Sequence, residues 1–145
     1  MHPYPHHYTA SATGQPDGLI TAATEGVALI HCASPPQFDG PEGQWSPETM
    51  LMAALADCFV LTFRAVARGS KFSWSSLHCT VEGTLERVEG GSQFTRYLTR
   101  AVLCLPPGSD ETRATILLEK AEHSCLIANS VKGLRELHVA FKAAS

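Results

Sequence analysis

The chain has 145 residues, 44% hydrophobic and 17% charged, a size that fits one domain and excludes a large multi-domain enzyme. Eleven Lys and Arg against fourteen Asp and Glu leave a net charge of −3, with neither a basic nucleic-acid footprint nor an acidic solvated tail. Five cysteines, an odd count, do not close into a framework of intramolecular disulfides. The chain lacks the charged start, apolar core and cleavage site of a signal peptide, so the expected compartment is a reducing cytoplasm with free thiols.

Met1 to Tyr8 carries three His and two Pro, and prolines at that density oppose helix and central strand alike, so a loose terminus is expected. No ligand spacing supports a metal site there. Thr9 to Ala33 reads as short strands. Thr13 to Gly18 forms a turn, because Gly and Pro supply the backbone angles of a reversal. Leu19 to Thr24 and Val27 to Cys32 are apolar, β-branched runs around Glu25-Gly26, which predicts a small meander. Ser34 to Trp45 holds three Pro and two Gly and reads as a long loop.

Ser46-Pro47-Glu48 is a helix start: Ser46 can cap free N–H groups, Pro47 suits the first helical position and Glu48 complements the dipole. The helix should run to about Arg68 and end at Gly69. From Met50 to Phe63 it is apolar on nearly every face, which predicts burial on all sides. The stretch is too short and interrupted for a membrane span. A monomer of this size has difficulty burying such a helix, so a tight homodimer is expected.

Leu77, Cys79, Val81, Gly83 and Leu85 alternate with polar residues, the period of a strand with one buried face. Glu89 to Ser92 turns it into a second strand, about Phe94 to Leu105, ended by Pro106-Pro107-Gly108. Ser109-Asp110-Glu111 opens a second helix whose Ala114, Leu117, Leu118, Ala121 and Cys125 share one face. Ser124-Cys125 is expected to cap a separate short helix through Ser130. A last strand runs from about Leu134 to Ala143. Strands, helix, hairpin, helix and strand make a single α+β domain with no linker or repeat.

Among residues that could carry chemistry, Cys58 lies mid-helix in the most apolar stretch, where a packed core thiol is also a natural reading. Cys125, placed after a cap, is expected near a helix N-terminus, which lowers a thiol pKa. Cys32, Cys79 and Cys104 fall on strands and read as structural. His31-Cys32, His78-Cys79 and His123-x-Cys125 make poor chelates, since neighbours on a strand point to opposite faces and no Cys-x-x-Cys pair exists. A Gly-x-Ser-x-Gly elbow and a Gly-rich phosphate loop are absent.

Two stretches resemble the signatures of the OsmC/Ohr family, the osmotically induced and organic hydroperoxide resistance proteins. The first is Pro35-Pro36-Gln37-Phe38-Asp39-Gly40 followed by Trp45-Ser46-Pro47-Glu48 and a cysteine, Cys58, ten positions after the glutamate. The second is Leu118 to Ser130, with Cys125-x-x-x-Asn129-Ser130. The resemblance covers nearly the whole chain after its first residues. It implies an OsmC-like fold, antiparallel sheets around a long buried central helix, in an interwoven homodimer. It also implies a thiol-dependent peroxidase acting on organic hydroperoxides, without metal or bound organic cofactor. In such a site Cys58 attacks the O–O bond and becomes a sulfenic acid, Cys125 resolves it as a disulfide, and a thiol or dithiol reductant restores both. Glu48 occupies the family's functional glutamate position. Ten residues of helix at ~1.5 Å each separate it from Cys58 by roughly 15 Å, so it would act from the other subunit or through an orienting residue. Phe38, Trp45 and Phe59 are candidates for an apolar substrate pocket.

One position departs from the pattern. Pro16 stands in Ala12 to Gly18 where the family's peroxidases carry an arginine that stabilises the thiolate. Cys58 then needs another cation. Arg64 and Arg68 are six and ten positions along the same helix, on another face or too far along the axis. Arg96, Arg100 and His7 remain candidates. An OsmC-fold protein that binds a small ligand or thiol without efficient peroxide turnover is the alternative reading.

Overall fold

The computed structural model describes residues 1–144. The chain gathers into two compact units, Met1–Met50 and a second that begins at Leu51, and the division falls inside a helix rather than at a linker.

In the first unit, residues 1–10 are exposed and without regular secondary structure. Three short strands, β1 (Ser11–Thr13), β2 (Ile20–Ala23) and β3 (Ile30–Cys32), form the expected antiparallel meander. The loop after it is better ordered than its composition suggests. Pro36–Phe38 is a 3-10 turn, closed by N–H bonds from Phe38 and Gly40 to the Pro35 carbonyl. A Cβ on Gly40 would lie 1.7 Å from the Ser34 carbonyl oxygen, so only glycine fits there.

Helix α1 (Pro47–Gly69) begins where Ser46 predicts. The Ser46 hydroxyl accepts the Thr49 N–H at 3.1 Å, and Thr49 Oγ1 accepts the Ser46 N–H at 3.0 Å. This is a reciprocal capping box in which threonine replaces the usual Glu or Gln. Two expectations for α1 need correction. Its buried residues are Leu55, Phe59, Phe63 and Ala67, a single stripe at four-residue spacing, so one chain does not bury it all round. Its 23 residues are also long and apolar enough to cross a membrane by length and composition. The helix extends beyond the Met50–Phe63 apolar run at both ends, which gives it the added length.

The second unit is a three-stranded sheet, β4 (Ser76–Val88), β5 (Gly91–Leu105) and β6 (Leu134–Ala143), with α2 (Glu111–Ser124) between β5 and β6 in sequence. β4 and β5 form the predicted hairpin, but β5 and β6 pair in parallel, against the antiparallel expectation. The reason is the connection: a helix carries the chain back over the sheet, so β6 starts at the same end as β5. Leu77, Cys79, Val81 and Gly83 are half-buried on one face of β4. Leu85 leaves that pattern and is exposed, because the register slips between Thr84 and Leu85.

The main core joins α1, β5 and α2 through Phe59, Phe63, Leu103, Leu117 and Leu118, with Leu137, Val139 and Phe141 of β6 against it. Burial of each large side chain contributes about 1.5–3 kcal/mol. Asp110 caps α2 by accepting the Arg113 N–H at 3.0 Å. The helix buries Ala114, Leu117, Leu118 and Ala121, the face read from their spacing.

Candidate active site

A second, smaller cluster lies beside the main core. Leu55, Tyr97, Cys125 and Ala128 are buried in it, and Cys58, Met52, Val81, Phe94 and Ile127 pack around them. It brings Cys58 and Cys125 together from elements far apart in sequence. Cys58 comes from the middle of α1, and Cys125 from the residue that follows α2. All five cysteines are free thiols.

Cys125 is not where the sequence places it. The helix from Glu111 continues through Ser124, so Cys125 is its C-cap, and its carbonyl accepts the Asn129 N–H at 3.0 Å. A short 3-10 turn, Ala128–Ser130, follows. The thiol is 1% exposed. Burial pushes it up to about 11; an N–H bond from Ala128 opposes this, and the neighbouring Cys58 and the Glu122 charge add to it. The expected lowering at Cys125 is thus reversed.

Cys58 moves the other way. Burial raises its thiol, but polar neighbours that favour the thiolate outweigh that: the backbone at Ile127 most, then the Cys125 thiol, the Thr62 hydroxyl and the backbone at Leu126. Cys58 is therefore held below its ordinary value, the condition for a nucleophilic thiolate. Thr62 Oγ1 lies 3.8 Å from Cys58 Sγ, and its own proton goes to the Cys58 carbonyl at 2.7 Å. No cationic side chain among the described residues contributes. The backbone at Ile127 and Leu126 favours the thiolate instead, as peptide N–H groups turned toward an anion do. Arg64, Arg68, Arg96, Arg100 and His7 are all exposed.

The other sequence candidates are not members of this cluster. Glu48 is in the first turn of α1, and its Oε2 is buried without a hydrogen-bond partner among the described residues. Phe38 and Trp45 are 55% and 51% exposed. Phe59 is 1% exposed and packs in the main core. Cys32 is buried, while Cys79 and Cys104 are half-buried on β4 and β5. Cys79 is pushed up to about 12, by burial first and then by the charges of Glu122 and Cys125. A small cleft beside Cys125 is lined by Leu55, Val81, Tyr97, Glu122 and Arg135 among others.

Sequence reasoning missed the Leu126 and Ile127 amides, since backbone donors leave no mark in residue type. It also missed Arg135, for which a signal existed. Arg135 shares its strand parity with Leu137, Val139 and Phe141, and a charge on the inward face of a strand needs a partner. The partner is Glu122, at 2.8 Å.

The family described as OsmC-like protein matches residues 40–137 of the chain. The chain is 26% identical over 138 residues to the uncharacterized protein YmaD of Bacillus subtilis, covering 92% of each. It is 25% identical over 96 residues to peroxiredoxin OsmC of Escherichia coli, covering 66% of each. Among solved structures, an OsmC-like protein of unknown function from Vibrio cholerae superposes with a TM-score of 0.85 at 20% identity, over 93% of this chain and 99% of that one. An organic hydroperoxide resistance protein OsmC from Legionella pneumophila superposes with a TM-score of 0.76 at 25% identity, over 97% and 99%. Two signatures in order, the α+β architecture and a match over more than half of the chain agree: the chain belongs to the OsmC-like family, with OsmC/Ohr proteins as its structural relatives.

Proposed function

We propose that this protein is a thiol peroxidase that reduces organic hydroperoxides, with Cys58 as the attacking residue and Cys125 as the resolving one. The observation that carries the reading is the packing of Cys58 and Cys125 in one small cluster with opposed acidities, Cys58 held low and Cys125 raised to about 11. The thiolate of Cys58 attacks the O–O bond. Its sulfur becomes a sulfenic acid and the alcohol leaves after taking a proton. Cys125 then loses its proton, attacks the sulfenic sulfur and expels water, and a dithiol reductant cleaves the disulfide.

The family supports hydroperoxide chemistry at large, through relatives described as a peroxiredoxin and an organic hydroperoxide resistance protein. Glu48 is the third catalytic residue of the reading. A buried carboxylate oxygen without a donor is costly, and a group brought by substrate or by a second copy of the chain would satisfy Glu48 Oε2. A homodimer in a reducing cytoplasm is part of the proposal: α1 is apolar well beyond its buried stripe, with Leu61 50% exposed.

The test is one equivalent of cumene hydroperoxide added to reduced protein. The reading expects loss of two thiols and a peptide pair linked through Cys58 and Cys125. In Cys125→Ser a sulfenic acid on Cys58 should be trapped by dimedone. Oxidation that begins at another cysteine would oppose the reading.

A further inference from the structure

The turn that faces Cys58 is held from behind by a residue with no assigned role. Arg135, on β6, donates from Nε to Glu122 Oε1 at 2.8 Å and from Nη1 to Asn129 Oδ1 at 2.8 Å. Its Nη2 also bonds the Glu122 carbonyl. Asn129 in turn donates through Nδ2 to the His123 carbonyl at 3.1 Å. These bonds tie the last turn of α2 to the 3-10 turn that follows, and Cys125, Leu126 and Ile127 lie between the two anchor points. The Arg135 and Glu122 side chains are 25% and 18% exposed, so the brace is shielded more than a surface ion pair.

We propose that Arg135 is a positioning residue for the Cys58 nucleophile: by forking between Glu122 and Asn129 it fixes the Cys125–Ser130 segment so that the Leu126 and Ile127 N–H groups stay aimed at the Cys58 sulfur. The inference deepens the thiol-peroxidase reading and rests on it. Its physical basis is that a backbone amide stabilises an anion only while held in place, and a turn of six residues has little internal rigidity. Ser130 Oγ to the Leu126 carbonyl, at 2.8 Å, is one internal tie. A planar guanidinium can reach two acceptors at once with fixed angles, whereas a lysine supplies only a point charge. Glu122 on α2, Cys79 on β4, Tyr97 on β5 and Arg135 on β6 are the titratable groups around the thiol pair, and of these Arg135 bonds the turn.

The test is the pH profile of Cys58 alkylation by iodoacetamide, followed by mass spectrometry of the Cys58 peptide. Arg135→Ala should move the midpoint upward. At a fixed pH below the midpoint, alkylation should slow about tenfold for every pH unit by which the midpoint rises. Arg135→Lys should restore only part of the rate. A midpoint unmoved in folded Arg135→Ala, or fully restored by lysine, overturns the proposal. If Arg135→Ala does not fold, Asn129→Ala cuts one arm of the fork and leaves the ion pair. A raised midpoint there supports the proposal, and an unchanged one overturns it. Alkylation reads the thiolate whether or not peroxide is consumed, so a failed peroxidase assay and a failed brace give different results.

Discussion

Cys58 and Cys125 meet in one small cluster with opposed acidities: the Cys125 thiol adds to the Ile127 backbone in lowering Cys58, and Cys58 adds to burial in raising Cys125. A donor stabilises the thiolate that accepts from it and holds its own proton more firmly. In the proposed reaction this sorts the pair before any oxidant arrives: Cys58 would be the better nucleophile, and Cys125 would keep its proton until a sulfenic acid forms beside it.

Removing the donor should therefore be felt at Cys58. In Cys125→Ala the Cys58 alkylation midpoint should rise, while Cys125→Ser retains an O–H donor and should stay nearer the wild type. The measurement is the iodoacetamide rate against pH in the three proteins. Equal midpoints would show that the thiol of Cys125 contributes nothing to the acidity of Cys58.

Alkaline pH should destabilise the fold through the buried thiols. Cys125 and Cys79 are raised from the ordinary value of 9.0 to about 11 and about 12. Their contribution is complete below about 9, where both states hold the proton. It is lost as pH rises through the folded values, because the unfolded chain gives up its protons first. Cys58 is lowered from 9.0, so its contribution runs the other way, present above 9.0 and lost as pH falls through its folded value. Urea midpoints at pH 8.5 and 10.5 should drop more in wild type than in Cys79→Val, which fills the site without a proton to lose. An equal drop would contradict the assignment.

Gly83 leaves room for the wall of the thiol cluster. A Cβ there would meet Met52 Sδ at 2.7 Å, Met52 Cε at 2.8 Å and Phe94 Cδ1 at 2.9 Å. Gly83→Val should cost about 1–3 kcal/mol by overpacking, read as a lower urea midpoint with an unchanged slope. Gly83→Ala should cost less, since the Met52 end is flexible.

What was legible in the sequence was whatever side-chain pattern encodes. The Ser46 start of α1, the β4–β5 hairpin and the apolar face of α2 each follow from residue type at a fixed period. The two signatures led to the right family and to both cysteines of the cluster. What was illegible depends on where the chain returns in space. The parallel pairing of β6 follows from the α2 crossover, and the end of α2 at Ser124 puts Cys125 at a C-cap instead of an N-terminus. Only Arg, Lys and His mark a positive charge in residue type, whereas the donors at Cys58 include peptide N–H groups of a turn nearly seventy residues downstream. Phe59 is ambiguous by type; only its rotation on α1 sends it to the main core while its neighbour Cys58 faces the smaller cluster.

The central claim is that Cys58 consumes organic hydroperoxide without an arginine beside it. The most direct measurement is steady-state consumption of cumene hydroperoxide by reduced protein with excess dithiol, in parallel with Cys58→Ser. The account predicts turnover by the wild type that vanishes in Cys58→Ser. Wild-type protein that consumes no more peroxide than Cys58→Ser would contradict it and favour a thiol- or ligand-binding role for the same fold.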